Sequence, residues 1–198
     1  MLQTFNFTRL MVLIGLLMTG GWLQAATEPP QRSPEMEAAI TAYEEQDYDT
    51  ALKAFRKLAA ADVTEAQYFL GTAYWYGAGV ERDIDVSQSW YKKAFDTWLG
   101  QAQAGDAESM VEISMMYSAG LGVPRGDMEA LEWANKAAEL GSPRAFGVLG
   151  DLYLQGYGVE MDEEKARSWY QRAAAGGDPW GQEMVRRLAS AGSAQQSH

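Results

Sequence analysis

Two stretches of this chain repeat each other 36 residues apart, and that spacing decides what the chain can fold into. Residues 110–141 place Tyr117, Gly120, Gly122, Val123, Ala130 and Trp133 where residues 146–177 place Tyr153, Gly156, Gly158, Val159, Ala166 and Trp169. A third copy lies upstream, in Leu70, Tyr74, Gly77, Gly79, Val80 and Trp90. A period in this range marks a solenoid of small supersecondary units, each unable to bury its own apolar face without its neighbours.

Each unit reads as two helices. The first carries apolar residues at helical spacing, such as Leu149, Leu152 and Tyr153, and stops at Gly-x-Gly. Glycine supplies the left-handed backbone that ends a helix, and the second glycine permits a tight reversal. The following Val80, Val123 or Val159 plugs the gap between the helices. Asp83, Gly126 and Asp162 then stand at the N-cap of the second helix, which buries Trp90, Trp133 or Trp169. Between Trp90 and Trp133 the spacing grows to 43, seven more than the period. Seven residues are almost two helical turns, so the extra stretch 95–101 lengthens the second helix and keeps its apolar phase. It adds Phe95, Trp98 and Leu99, more than a packed core at that point requires.

The ends differ. Residues 37–46 and 50–60 form two helical stretches joined by Asp47, Tyr48 and Asp49, with Ala51, Phe55 and Leu58 on one face. Residues 179–188 start another first helix with no partner, the polar cap that such arrays need.

The motif running through residues 70–94, 113–138 and 149–174 resembles the Sel-one-like repeat, a relative of the tetratricopeptide repeat, and the half-unit before it resembles a tetratricopeptide unit. The resemblance implies an all-α fold, an α-solenoid of antiparallel helix pairs forming a right-handed superhelix, and an adaptor whose function lies in surface residues outside the motif. Ser87, Ser114 and Gly126 depart from the family's usual Ala, Gly and Asp, which should weaken individual helix contacts. The expected organisation is a signal peptide (1–25), a flexible linker (26–34), a degenerate tetratricopeptide-like repeat (35–62), a repeat with the seven-residue insertion (66–106), two regular repeats (107–142 and 143–178), a capping helix (179–190) and a disordered tail (191–198).

The signal peptide rests on Arg9, the apolar run 10–18 and the small residues Ala25 and Ala26. Export to a bacterial periplasm is the favoured reading, with an uncleaved anchor as the alternative. The chain has no cysteine, so no disulfide staples the repeats even in an oxidising compartment. A net charge of −11 repels phosphates and anionic lipid, so nucleic acid is not an expected partner, and no membrane insertion is expected after signal cleavage.

The sole histidine is His198, in the tail. That excludes a Ser-His-Asp triad, a Cys-His pair and a histidine-ligated metal. Glu44, Glu45, Asp47 and Asp49, and likewise Asp162, Glu163 and Glu164, read as helix-end charges. No catalytic residue, cofactor or metal is expected, and the Gly-x-Gly pairs are turns rather than phosphate loops.

By analogy with tetratricopeptide helices, the inner groove is lined by Glu65, Tyr68, Thr72, Trp75 and Tyr76. It continues through Glu108, Val111, Met115 and Ala119, then Arg144, Gly147, Asp151 and Gln155. The binding candidates are Glu65, Tyr68, Thr72, Trp75, Tyr76, Met115, Arg144 and Asp151. Tyr68, Trp75, Tyr76 and Met115 would form an exposed apolar patch of the kind that marks partner sites.

The function expected from this is a non-enzymatic scaffold holding a partner peptide or domain in its concave groove, in an envelope assembly or regulatory complex. The alternatives are a cell-wall or polysaccharide-binding module (or a hydrolase, with Glu65 and Glu108 as the nearest paired acids) and a homo-oligomer built through Trp180. On this reading Trp133→Ala costs about 3–5 kcal/mol as a buried truncation. Trp75→Ala should leave the helical circular dichroism intact and weaken partner capture. Equal thermal losses for the two would contradict the groove assignment.

Overall fold

The structure, a computed structural model, describes residues 32–195. Among the described residues there are nine helices and no strand: α1 (Pro34–Glu44), α2 (Tyr48–Ala60), α3 (Thr64–Tyr76), α4 (Ile84–Gln103), α5 (Ala107–Ala119), α6 (Asp127–Glu139), α7 (Pro143–Gln155), α8 (Glu163–Ala175) and α9 (Pro179–Gln195). Each helix packs on the next in an all-α solenoid of helix pairs closed by α9, and α5 also packs on α7, and α7 on α9. The expected signal peptide and most of the linker lie outside the described residues. No helix among those described is long and apolar enough to cross a membrane.

Local chemistry explains the helix limits. Side-chain oxygens of Asp47, Asp83, Asp106, Ser142 and Asp162 accept the backbone N–H three residues on, while Gly126 leaves α6 without a side-chain cap. Gly77, Gly120 and Gly156 end the first helices in the left-handed conformation, at φ 72°, 67° and 72°.

Three terminal expectations change. Pro34 is not linker but the first residue of α1, behind the N-cap Ser33, whose side chain accepts from Met36 N; proline's fixed φ suits that position. Tyr48 and Asp49 join the first turn of α2 because Asp47 caps it. The segment 191–195, expected to be disordered, continues α9. Its small residues read as coil, yet alanine is the best helix former, and no proline interrupts the run.

The two helices of each unit cross through small residues. Gly71, Ser114 and Gly150 occupy one register position on α3, α5 and α7, and Tyr91, Ala134 and Tyr170 face them from α4, α6 and α8. Where the first helix has glycine, a tyrosine ring fills the space: a Cβ on Gly71 would sit 2.7 Å from Tyr91 Cδ1, and one on Gly150 would collide with Tyr170. Where the first helix has serine, the partner is alanine. The departures Ser87 and Ser114, expected to weaken packing, do the opposite. Ser87 Oγ donates to Gly71 O and Ser114 Oγ to Ala130 O, each at 2.7 Å and fully buried. A satisfied hydroxyl thus straps the crossing in two of the three units.

The motif tryptophans are also placed differently from expectation. Trp90, Trp133 and Trp169 are half-buried, and the next residue (Tyr91, Ala134, Tyr170) holds the closed core position. The indoles instead lie under the chain's own cations three residues on: Lys93 at 4.1 Å from the Trp90 ring centre, Lys136 at 4.3 Å from Trp133, and Arg172 at 4.4 Å from Trp169. Trp133 and Trp75 are both half-buried against the same core cluster. The large difference expected between their alanine variants therefore narrows.

Helix α4 is the exception to the repeat. It has 20 residues where α6 and α8 have 13, a difference of seven. The second glycine of each turn shows what the extra length does. A Cβ on Gly79 would strike Tyr48, and one on Gly158 would strike Asp127 O; these neighbours are the first residues of α2 and α6. Gly122 instead sits against the backbone of Tyr91 and Lys92, seven residues into α4. The next unit is therefore set two turns down the helix, about 10 Å at 1.5 Å per residue. The overhanging start of α4 grips the turn: Gln88 Oε1 accepts Gly122 N at 2.6 Å and Gln88 Nε2 donates to Gly120 O at 3.3 Å. Phe95, expected to be surplus, is 4% exposed and meets Tyr117 edge-on.

The crossing makes a coupled prediction. Gly150→Ser should cost about 1–3 kcal/mol by overpacking, and Tyr170→Ala about 3–5 kcal/mol by truncation. The double variant recreates the Ser114–Ala134 pairing. In urea unfolding it should fall short of the sum by about 1 kcal/mol or more, whereas additivity within about 0.5 kcal/mol would refute the complementarity.

Candidate partner-binding groove

The two-turn step between units shapes the concave face. Because α5 is set down along α4, α3 and α5 lack the packing that joins α5 to α7 and α7 to α9. A cleft of about 630 Å³ opens between them. Glu65, Tyr68 and Phe69 of α3, Trp98 and Gln101 of α4, and Glu108, Glu112 and Met115 of α5 line it, with Arg144 of α7 at one side and Arg32 and Glu37 at the rim. The same step leaves a second hollow of about 450 Å³ at the other end of α3, between Tyr68, Phe69, Thr72, Trp75 and Tyr76 and Ala119 and Leu121. Tyr68 and Phe69 line both, so the two adjoin along α3 as the steps of a groove. A third hollow of about 220 Å³ lies among Met115, Arg144, Val148, Asp151, Asp178 and Trp180.

One register position on successive first helices builds the lateral contacts. It holds Glu65, Glu108, Arg144 and Trp180. Arg144 reaches back to α5, donating Nη1 to Glu112 Oε1 at 2.6 Å and to Glu108 Oε2 at 3.4 Å. Burial alone would lower the Arg144 guanidinium's pKa, but the charges of Glu112 and then Glu108 outweigh it and raise the value. Trp180 reaches back to α7, its Nε1 donating to Asp151 Oδ2 at 3.0 Å. Arg32 Nε pairs with Glu65 Oε1 at 2.8 Å.

The residues after the crossing point also face the groove. Thr72 Oγ1 lies 3.0 Å from Tyr91 Oη, and Tyr170 Oη donates to Asp151 Oδ1 at 2.6 Å. Burial pushes the Tyr91 phenol up to about 12. Burial also raises the Asp151 carboxyl above its ordinary range, against the hydrogen bonds from Tyr170 and Trp180, which pull it down. Tyr68 packs its ring 5.3 Å from Tyr91 and 5.8 Å from Trp98, and its phenol is raised by burial and then by the Glu112 charge.

The eight sequence candidates all lie on this face, but not as one patch. Glu65, Tyr68, Met115 and Arg144 line the main cleft; Tyr68, Thr72, Trp75 and Tyr76 line the second hollow; Met115, Arg144 and Asp151 line the third. Tyr76 (72% exposed) and Met115 (40%) are the exposed apolar members, while Tyr68 and Trp75 are half-buried and packed against the core. Val111 and Gly147, expected in the groove, are buried, Val111 at 0% exposure. They turn to neighbouring elements: a Cβ on Gly147 would sit 3.0 Å from Asp178 Oδ2 and 3.5 Å from Trp180 Cδ1. Glu112, one residue after Val111, takes the open place, because a helix can face a groove with either its i+3 or its i+4 residue. Trp98, Gln101, Asp178 and Trp180 are groove residues absent from the expected set. For Trp98 and Gln101 the signal was the insertion itself.

Comparison with known proteins agrees with this architecture. The family model described as Sel1 repeat matches residues 64–96, 107–142 and 148–178. Among solved structures, the protective antigen c5321 of uropathogenic Escherichia coli, which displays an SLR fold, is 32% identical over 80% of this chain and 33% of its own, with a TM-score of 0.49. A Sel1 repeat protein from Oxalobacter formigenes is 28% identical over 78% of this chain and 59% of its own, with a TM-score of 0.50. This chain therefore spans less than two thirds of either protein.

Asp151 offers a test of the groove's electrostatics. Its folded pKa is raised, so the unfolded chain loses this proton first as pH rises. Its contribution to stability is then full below the ordinary aspartate pKa and is lost as pH rises through the folded value. The stability difference between the parent and Asp151→Asn, measured by urea unfolding, should move against the parent across that window. Parallel pH profiles would show that Asp151 ionises as an ordinary exposed carboxylate.

Proposed function

The chain belongs to the Sel1 repeat family, whose members mediate protein–protein interaction on a non-catalytic scaffold, and on that premise we propose that it is an exported adaptor. It holds a segment of a partner protein along the stepped groove, in a bacterial envelope assembly or regulatory complex. The observation that carries this reading is the groove itself. The offset between α3 and α5 leaves two adjoining hollows, lined by Tyr68, Phe69, Trp98 and Met115 among others and rimmed by charge, that the chain does not fill. Amphipathic aromatic rings beside charged groups are the usual anchors of a protein interface. The export reading rests on residues 1–25, with Arg9 before an apolar run and small residues at the end.

Affinity capture from an envelope extract tests it, with residues 26–198 as bait and Tyr76→Ala/Met115→Ala as the matched variant. These are exposed apolar side chains of the groove, so the variant should keep the parent's melting temperature. A protein retained by the parent and lost by the variant is the expected result. If neither bait retains a protein and both retain cell-wall fragments, the adaptor reading fails and glycan binding replaces it.

A further inference from the structure

We propose that the cleft between α3 and α5 receives an extended, arginine- or lysine-bearing segment of the partner, its basic side chain lying over Trp98 with the charge on Glu65 and Glu108. This rests on the adaptor reading and names the chemistry of the partner. Three observations converge on it.

The first is charge. Five carboxylates line the cleft against two guanidiniums, and both guanidiniums are seated on carboxylates, Arg32 on Glu65 and Arg144 on Glu112 and Glu108. Arg32 shows how such a side chain is received. It arrives from the rim, its side chain stays 56% exposed, and an incoming cation can replace it.

The second is a tryptophan ring with no cation of its own over it among the described residues. Four tryptophans lie on the second helices. Trp90, Trp133 and Trp169 each have a lysine or arginine three residues on, over the indole. Trp98 has Gln101 there instead, and Gln101 Oε1 turns to accept Ser109 Oγ at 2.9 Å. Among the described residues no cation lies over Trp98, and its half-buried ring lines the cleft. An indole, which carries a cation at three other places on the second helices, stands without one where the wall is acidic.

The third is origin. Trp98 and Gln101 come with the additional two turns of α4, the same two turns that displace α5 and open the cleft. One insertion thus supplies the space and the ring.

The probe is a short fluorescein-labelled peptide alternating arginine with leucine, and its counterpart with glutamate for arginine, followed by fluorescence anisotropy. The full chain should bind the arginine peptide and not the glutamate one. Glu65→Gln/Glu108→Gln should weaken binding about tenfold, and Trp98→Leu about threefold. Glu163→Gln/Glu164→Gln, an equal charge change at the start of α8, should leave it unaltered, and thermal melts confirm that each variant is folded. If the α8 control weakens binding as much, or the glutamate peptide binds equally well, the cleft is not a cation-reading site and the proposal falls. Competition separates it from the adaptor reading. Groove-dependent capture that the arginine peptide cannot displace sinks the basic-segment inference alone. Capture unaffected by Tyr76→Ala/Met115→Ala sinks the adaptor reading itself.

Discussion

The close approach of one unit's turn to the helix before it governs where every later unit sits. Gly79, Gly122 and Gly158 lie so near α2, α4 and α6 that any Cβ would overlap atoms there. At Gly122 and Gly158 the atoms met are backbone, with no side chain to adjust, so the contact transmits position faithfully from unit to unit. The Gly71–Tyr91, Ser114–Ala134 and Gly150–Tyr170 crossings do the same within a unit, trading bulk on one helix against bulk on the other. Together they make a rigid array whose shape follows from where each glycine lands.

That rigidity explains how seven residues can create a binding surface. An insertion in a loop would be absorbed locally. An insertion of two turns in α4 keeps the helix's faces in phase, so α3 packs on its first part and α5 on its last. Everything from α5 onward is displaced as a block, and α3 and α5 are left apart. Tyr91 stands at the junction of the two registers, its ring over Gly71 and its backbone under Gly122. The stepped groove is the gap between two well-packed pieces, which is why it stays open without strain.

Much of this is legible in the residues. The Gly-x-Gly pairs, the N-cap aspartates and the spacing of 43 against 36 locate the helices and the lengthened one, because each rests on local geometry that glycine or a capping side chain favours. Which face a residue presents is less legible. Val111 and Glu112 both suit a groove by periodicity, and only the packing of α7 against α5 decides between them. The tryptophans read as core by size, yet the crossing is so close that its centre holds only Gly or Ser against Tyr or Ala, and the indoles move outward under Lys93, Lys136 and Arg172. Ser87 and Ser114 read as flaws because the carbonyls they bond, Gly71 and Ala130, lie sixteen residues away on the other helix.

The displacement of α5 along α4 is the claim on which the groove depends, and distances can test it directly. Tyr76, Ala119 and Gln155 occupy one register position at the ends of α3, α5 and α7, all exposed, and the chain has no native cysteine to interfere. Spin labels on cysteines placed pairwise at these positions would report both steps by double electron–electron resonance. The distance from 76 to 119 should be clearly longer than that from 119 to 155. Equal distances would mean that the extra turns of α4 are absorbed without offsetting the units, and the cleft would lose its physical origin.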